Sequence, residues 1–298
     1  MYRRLGQGFT WFSWLSVLIT LGALGIFLGF LGVKGGATLK LQLFFGDASP
    51  WQILLGSQPA IEGIWPACLG TIYVVLLSSL LAIPLGIGSG IYLAQYAPPL
   101  PKKFLSLAVD LLAGIPSILM GLFGFVLILF LRRTLLSQAN TCLLLSAGCL
   151  AILVLPYLIL TTQSALGGLP SSLQVAGLSL GFTPWQNLVH ILLPAASRGI
   201  LSGIILAVGR AAEDTAVILL TGVVANAGAP QSLTDKFTAL PFHIYYLAAE
   251  HRTTGELAQA FGAALVLLLL TASLYAIAYG LHASIAKKWK QQSIMIRR

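Results

Sequence analysis

Long blocks of apolar residues, interrupted by prolines, glycines and short polar connections, dominate the pattern of this chain. A block of about 20 residues with few charges is long enough to cross a bilayer as a helix. Such blocks lie near residues 12–33, 66–95, 105–131, 142–165, 199–222 and 258–285, which predicts six transmembrane helices and leaves little for a separate soluble domain. The second block is longer than a bilayer needs and contains Pro84, so a tilt, a kink or projecting ends are expected. Pro116 and Pro156 fall inside the third and fourth blocks, where neighbouring helices must satisfy the freed backbone groups. With no βαβ alternation, the expected fold class is an all-α integral membrane protein.

The connection at residues 166–198 is long and mixes apolar with small residues. Pro170 with Ser171 or Ser172 predicts a helix start, after which Leu173, Ala176, Gly177 and Leu180 recur at helical spacing up to a break at Gly181. A second helical pattern, Trp185, Leu188, Val189 and Leu192, runs into Pro194. Apolar side chains on a connection this poor in Lys and Arg point to a protein contact rather than to a lipid-surface helix.

Composition agrees with the blocks. Hydrophobic residues make up 57% of the chain and charged ones 8%, and the mean hydropathy is +0.91, beyond what a soluble core could hide. The first block follows Tyr2-Arg3-Arg4 but exceeds a signal-peptide core and precedes five more blocks, so it reads as a retained helix. Placing both termini in the cytoplasm puts Arg3, Arg4, Lys102, Lys103, Arg198, Lys287, Lys288, Lys290, Arg297 and Arg298 on that side. The opposite side holds Lys34, Lys40, Arg132, Arg133, Lys236 and Arg252, offset by Asp47, Glu62, Asp235, Glu250 and Glu256. Arg132-Arg133 is the exception to the positive-inside rule. The formal charge of +9 is therefore mostly a topology signal, and its scatter in juxtamembrane clusters argues against nucleic-acid binding. The organisation expected is an N-terminal helix and extracytoplasmic loop at 1–62, a membrane core at 63–286 containing the connection at 166–198, and a basic cytoplasmic tail at 287–298.

Catalytic and metal chemistry find little support. Cys68, Cys142 and Cys149 lie in or beside apolar blocks without C-x-x-C spacing and read as packing residues. His190, His243, His251 and His282 are dispersed, so no metal is inferred. Gly177-Leu178-Ser179-Leu180-Gly181 fits G-x-S-x-G, but that pattern means a nucleophile only at a strand-to-helix turn, which is absent here. No G-x-x-x-x-G-K-[ST] loop occurs, so any ATP must be bound by another subunit.

Gly181, nine residues, then Ile191-Leu192-Leu193-Pro194 resembles the "EAA" loop of ABC importer permeases. In that family the loop is a coupling helix that docks on an ATPase subunit. The resemblance places Ala176, Gly177, Gly181 and Pro194 in this role, with Val175 where the family has glutamate and Gly177 where it has its second alanine. "GIWPACLGT" at 63–71 and "DLLAGIPSILMGLFG" at 110–124 are similar to phosphate importer permeases, and "GRAAEDTAVILLTG" at 209–222 and "ALPFHIYYLA" at 239–248 resemble those of the PstA type. The resemblance implies a type I (MetI-like) architecture in a prokaryotic inner membrane and a non-catalytic role in alternating access. It also implies a PstC-type second permease, two PstB-type ATPase subunits that bind ATP and Mg, a PstS-type extracytoplasmic binding protein, and surrounding lipid. Asp235, Lys236, Tyr245 and Tyr246 are candidates for contact with the binding protein. Other oxyanions, namely sulfate, molybdate or tungstate, stay open as cargo. An ion-coupled secondary transporter is a further alternative, although no internal repeat is evident.

Arg210, Glu213 and Asp214 are the ionisable residues of the fifth block. An Arg near mid-bilayer costs roughly 2.5–3.5 kcal/mol, so Arg210 should face protein or water. Gly199, Gly203, Ala207 and Ala211 recur every four residues, continued by Thr215, and form a small-residue stripe suited to close helix packing. In the resembled family the arginine and a nearby acid are associated with the anion path, and Asp214 occupies the glutamate position of G-R-A-x-G-E-T while Glu213 stands where glycine is common. Two readings of Arg210 remain, a bidentate oxyanion contact in the pathway or an ion pair that fastens helices or subunits.

Overall fold

Proline and capping residues decide where the apolar blocks become separate helices. The computed structural model describes residues 2–46 and 63–295, with side chains described for 10–46 and 63–280. Residues 47–62 of the expected extracytoplasmic loop, with Asp47 and Glu62, and Arg297 and Arg298 of the basic tail lie outside the described residues. The same holds for the side chains of Arg3, Arg4, His282, Lys287, Lys288 and Lys290.

The chain forms α1 (Tyr2–Gly36), a short α2 (Leu41–Phe45) and α3 (Trp65–Ile91), which continues through a π-helical turn at Tyr92–Tyr96. Next come α4 (Pro99–Ala113), α5 (Ser117–Thr134) and α6 (Leu143–Gly167). A helical hairpin, α7 (Ser171–Ser179) and α8 (Pro184–Asn187), leads through a second π-helical turn, Leu188–Leu192, into α9 (Leu193–Glu213). Then follow α10 (Ala216–Thr221), α11 (Leu240–Glu250) and α12 (Thr254–Met295). Six helical stretches are long and apolar enough to cross a membrane: Thr10–Gly36, Trp65–Tyr96, Ser117–Thr134, Leu143–Gly167, Pro184–Glu213 and Thr254–Gly280. Among the described residues there is no strand, only a bridge between Val223 and Phe237.

Two predicted blocks divide differently from expectation. The third, 105–131, is two helices, because Pro116 is the N-cap of α5 and α4 ends at Ala113. A proline disfavours helical backbone in the residue before it, which ends the preceding helix. α4 is amphipathic, with Val109 buried beside Leu93 and Ile159, while Leu100, Phe104, Leu107 and Leu111 are exposed at i, i+4, i+7, i+11 spacing. The fifth block, 199–222, begins earlier, at Pro184, and breaks at Asp214, so its last residues form the separate α10. Pro194 lies inside this continuous rod. The π-helical turn just before it, in which the Leu193 N–H donates to the Leu188 carbonyl, widens the helix where the pyrrolidine ring would crowd the preceding turn.

α6 is the central post. Its most apolar stretch is 61% buried, against 6% for that of the first span, so α1 lies at the periphery. The main core joins Val74, Val75 and Ala82 of α3, Leu150, Val154 and Leu158 of α6, Ala207 and Ala211 of α9, and Val217 and Ile218 of α10. Phe237, from the loop after α10, is fully buried in the same core. The loop also completes α6, whose first N–H groups have no intrahelical partner. Cys142 donates to the Thr221 carbonyl, Leu143 to that of Asp235 and Leu144 to that of Leu233, each at 2.9 Å. Asp235 holds the loop turn by accepting from the Gln231 and Ser232 N–H groups and the Ser232 hydroxyl, which keeps its carboxyl below the ordinary carboxylate range.

The small-residue stripe of α9 meets α6. A Cβ at Gly199 would lie 2.6 Å from Ala165 Cβ, and one at Gly203 would collide with the Thr161 hydroxyl, which itself donates to the Tyr157 carbonyl at 2.6 Å. Ala207 and Ala211 are buried on the same packed side. Gly203→Val is therefore expected to cost about 1–3 kcal/mol through overpacking. Thermal unfolding in detergent should show the loss, and an unchanged midpoint would contradict this packing.

Candidate functional site

The polar run that begins at Arg210 does not sit within one straight helix. α9 ends at Glu213, Asp214 takes an extended conformation (φ −75°, ψ 113°), and α10 starts two residues later. Asp214 Oδ1 accepts the Val217 N–H at 2.9 Å, so the carboxylate caps α10 from one position before its N-cap. Its charge is also favoured there by the positive end of the α10 dipole. At a rise of 1.5 Å per residue, the short α10 separates the break by roughly 10 Å along the helix from Thr221, whose carbonyl meets the start of α6.

The three charged side chains separate by exposure. The Asp214 side chain is 3% exposed, whereas that of Arg210 is 48% exposed and its Nη2 lies 4.0 Å from Asp214 Oδ2. At that distance the pair attracts but is not hydrogen-bonded. The guanidinium thus keeps donors available for an external acceptor. Glu213 is exposed, and among the described residues it makes no salt bridge. Tyr275 of α12 packs its hydroxyl against Gly209, next to Arg210, so α12 closes one side of this part of α9. The structure brings Arg210 and Asp214 together, leaves Glu213 on the outside and gives Asp214 a backbone partner that the sequence pattern did not reveal.

At the other end of the rod lies the hairpin. Gly181 has φ +86°, a left-handed conformation that other residues adopt only with strain. It forms the C-terminal stop of α7, with the Phe182 N–H donating to the Gly177 carbonyl and the Gly181 N–H to that of Leu178, both at 3.0 Å. The stop is followed at once by a start, because the Thr183 hydroxyl accepts the Gln186 N–H while the Gln186 side chain accepts the Thr183 N–H. Ala176 is exposed on α7 together with Val175, Leu178 and Leu180, and Trp185 extends this apolar surface from α8. Gly177 faces inward against Asn187 and Ile191. Pro194 sits in the first turn of α9.

Elsewhere, Arg132 donates to the Ala139 carbonyl and to Asn140 Oδ1, which ties down the loop after α5 and accounts locally for this basic residue. Cys68, Cys142 and Cys149 are buried and unpaired. Tyr245 is exposed, while Tyr246 stacks on Phe242 with ring centroids 6.3 Å apart.

Residues 82–291 match the family described as binding-protein-dependent transport system inner membrane component. The chain is 34% identical over 203 residues to the probable ABC transporter permease protein YqgH of Bacillus subtilis (strain 168), covering 65% of this chain and 64% of that protein. The aligned stretch therefore spans just under two thirds of YqgH. Over 212 residues it is 31% identical to the phosphate transport system permease protein PstA 1 of Mycobacterium tuberculosis (strain CDC 1551 / Oshkosh), covering 71% of this chain and 68% of that one. In fold it resembles a chain of the inward-facing MetNI methionine ABC transporter, with a TM-score of 0.57 at 16% identity, covering 81% of this chain and 99% of the other.

The cap and the exposed acid make different demands on stability. Asp214→Ala should destabilise the folded protein by about 0.5–2 kcal/mol, the cost of losing a helix cap, whereas Asp214→Asn keeps an accepting oxygen and Glu213→Ala removes only an exposed side chain. Thermal unfolding of the three variants checks the order, and equal losses for Asp214→Ala and Glu213→Ala would refute it.

Proposed function

Because the chain belongs to the family of binding-protein-dependent transport system inner membrane components, we propose that it is the PstA-type permease subunit of an ATP-driven phosphate importer. The likeness to PstA 1 supports this cargo. The observation that carries the reading is the half-exposed Arg210 guanidinium, held inside a span beside a capped helix break and not hydrogen-bonded by its acidic neighbour. A planar guanidinium can donate two parallel hydrogen bonds to a phosphate. Asp214, 4.0 Å away, and the exposed Glu213 limit how tightly an anion is held, which favours passage over capture.

This chain forms half of the translocation pathway with a PstC-type permease. The exposed face of α7, around Val175, Ala176 and Leu178, docks on an ATPase subunit at the cytoplasmic end, and both termini lie on that side, in keeping with Lys102, Lys103 and Arg198 there. A PstS-type binding protein delivers the anion at the opposite end. ATP and Mg bind to the two ATPase subunits, and this chain performs no chemistry. The rod Pro184–Glu213 runs without interruption from the hairpin to Arg210, so movement at the docked end reaches the anion contact.

ATP-dependent uptake of labelled phosphate should be measured in vesicles holding this chain with its second permease, ATPase and binding protein. Arg210→Ala should lower uptake roughly tenfold or more, as loss of a charged hydrogen bond of about 1.5–3 kcal/mol implies, without loss of assembly. Collapse of assembly would instead make Arg210 a structural fastener. Uptake of sulfate or molybdate but not phosphate by the wild type would reject the cargo, and uptake without any ATPase would reject the importer.

A further inference from the structure

Asn187 is the last residue of α8 and is 4% exposed. Its Nδ2 donates to the Gln174 carbonyl of α7 at 2.7 Å, and Gln174 Nε2 in turn donates to the Leu169 carbonyl at 3.1 Å, on the connection that leads into α7. Asn187 Oδ1 is buried and has no hydrogen-bond partner among the described residues. It points at Gly177, where an added Cβ would collide with it and would also lie 2.7 Å from Ile191 Cδ1. A buried amide oxygen left unsatisfied carries the penalty of its lost hydration, which an apolar side chain would not carry. The amide brings a directional bond across the hairpin in return.

We propose that Asn187, with the Gln174 carbonyl and Gly177, is a positioning clasp that fixes the angle of α7 on the rod Pro184–Glu213. This rests on the coupling reading above, in which α7 docks on the ATPase. The clasp and the Gly177 contacts join the middle of α7 to the rod, in addition to the tight Gly181 turn that links the two along the chain. The clasp turns a hinged helix into a lever. Displacement of the exposed Val175–Leu178 face then moves α8, α9 and Arg210 as one body. Gly177 belongs to the same device, because only a residue without Cβ lets α7 approach the Asn187 amide this closely.

Asn187→Leu keeps the branched shape and heavy-atom count of the side chain and removes the hydrogen bond, and Gly177→Ala pushes α7 off Asn187. Paired spin labels at Ser172→Cys and Ser202→Cys, exposed on α7 and α9, report the angle between them in the assembled complex. The wild type should give one narrow distance distribution. Both variants should broaden or shift it, while phosphate carried per ATP hydrolysed falls by roughly twofold to thirtyfold, the size of a coupling change of about 0.5–2 kcal/mol, and the ATPase still copurifies. A purely structural role would lower uptake and ATP hydrolysis in proportion, and that result, or unchanged distances in both variants, overturns the clasp. Should Asn187→Leu fail to assemble, Gly177→Ala decides alone, and its own failure to assemble would count against a positioning role. If the wild type carries no phosphate, the proposed cargo falls while the distances still judge the clasp.

Discussion

In hydrocarbon a helix can stop only where something else satisfies its backbone, and here the Asp214 carboxylate takes the Val217 N–H. Everything near the charged run depends on that bond. It allows the chain to leave α9, step through two residues and resume as α10, packed against α5 and α6. The break in turn sends the following loop back over the start of α6, where its carbonyls receive N–H groups that α6 cannot satisfy itself. With Asp214 committed to the backbone and 3% exposed, Arg210 is attracted at 4.0 Å without being consumed. A single straight helix through this region would have left two acids and an arginine with only each other.

The other end of the rod follows a different logic. There the chain uses local chemistry, a left-handed glycine stop followed by a reciprocal Thr-Gln cap, to fold α7 back against α8 within four residues. The hairpin thereby leaves Val175, Leu178 and Trp185 exposed, the first two at the rim of a cavity that Tyr96 and Leu192 also line. Between the two ends lies an uninterrupted helix whose one irregularity, the π-helical turn, accommodates Pro194 without a break. If α7 docks on an ATPase subunit as proposed, this rigid connection joins the docked surface to the charged break.

Much of this was visible along the chain. The six apolar blocks, the start of α7 after Pro170 and its end before Gly181 could be read from periodicity and turn chemistry, because these signals are local. The spacing of Gly199, Gly203, Ala207 and Ala211 was visible too, but the sequence could not say which helix they meet. The break at Asp214 was hidden, since Val217-Ile218-Leu219-Leu220 is as apolar as a continuing helix and window averaging cannot register one capping bond. Pro116 was counted inside a span for the same reason, although a proline that starts a helix and one that interrupts it look alike without their hydrogen bonds. Asn187 gave no sign at all. A single amide among apolar and small residues does not show what it faces, and in the structure it is buried against Gly177, which stands where the resembled loop carries alanine.

The account stands or falls on whether the Arg210 side chain faces the path of the anion. The most direct measurement places Arg210→Cys in the assembled complex and follows its modification by a charged, water-soluble thiol reagent, with and without phosphate and ATP. The native cysteines are buried and supply the background. The account predicts modification through water, slowed by phosphate and altered when ATP drives the complex between its states. A thiol that never reacts in the assembled complex, or that reacts at the same rate whatever is added, would place residue 210 in a fixed interface and contradict a role in the pathway.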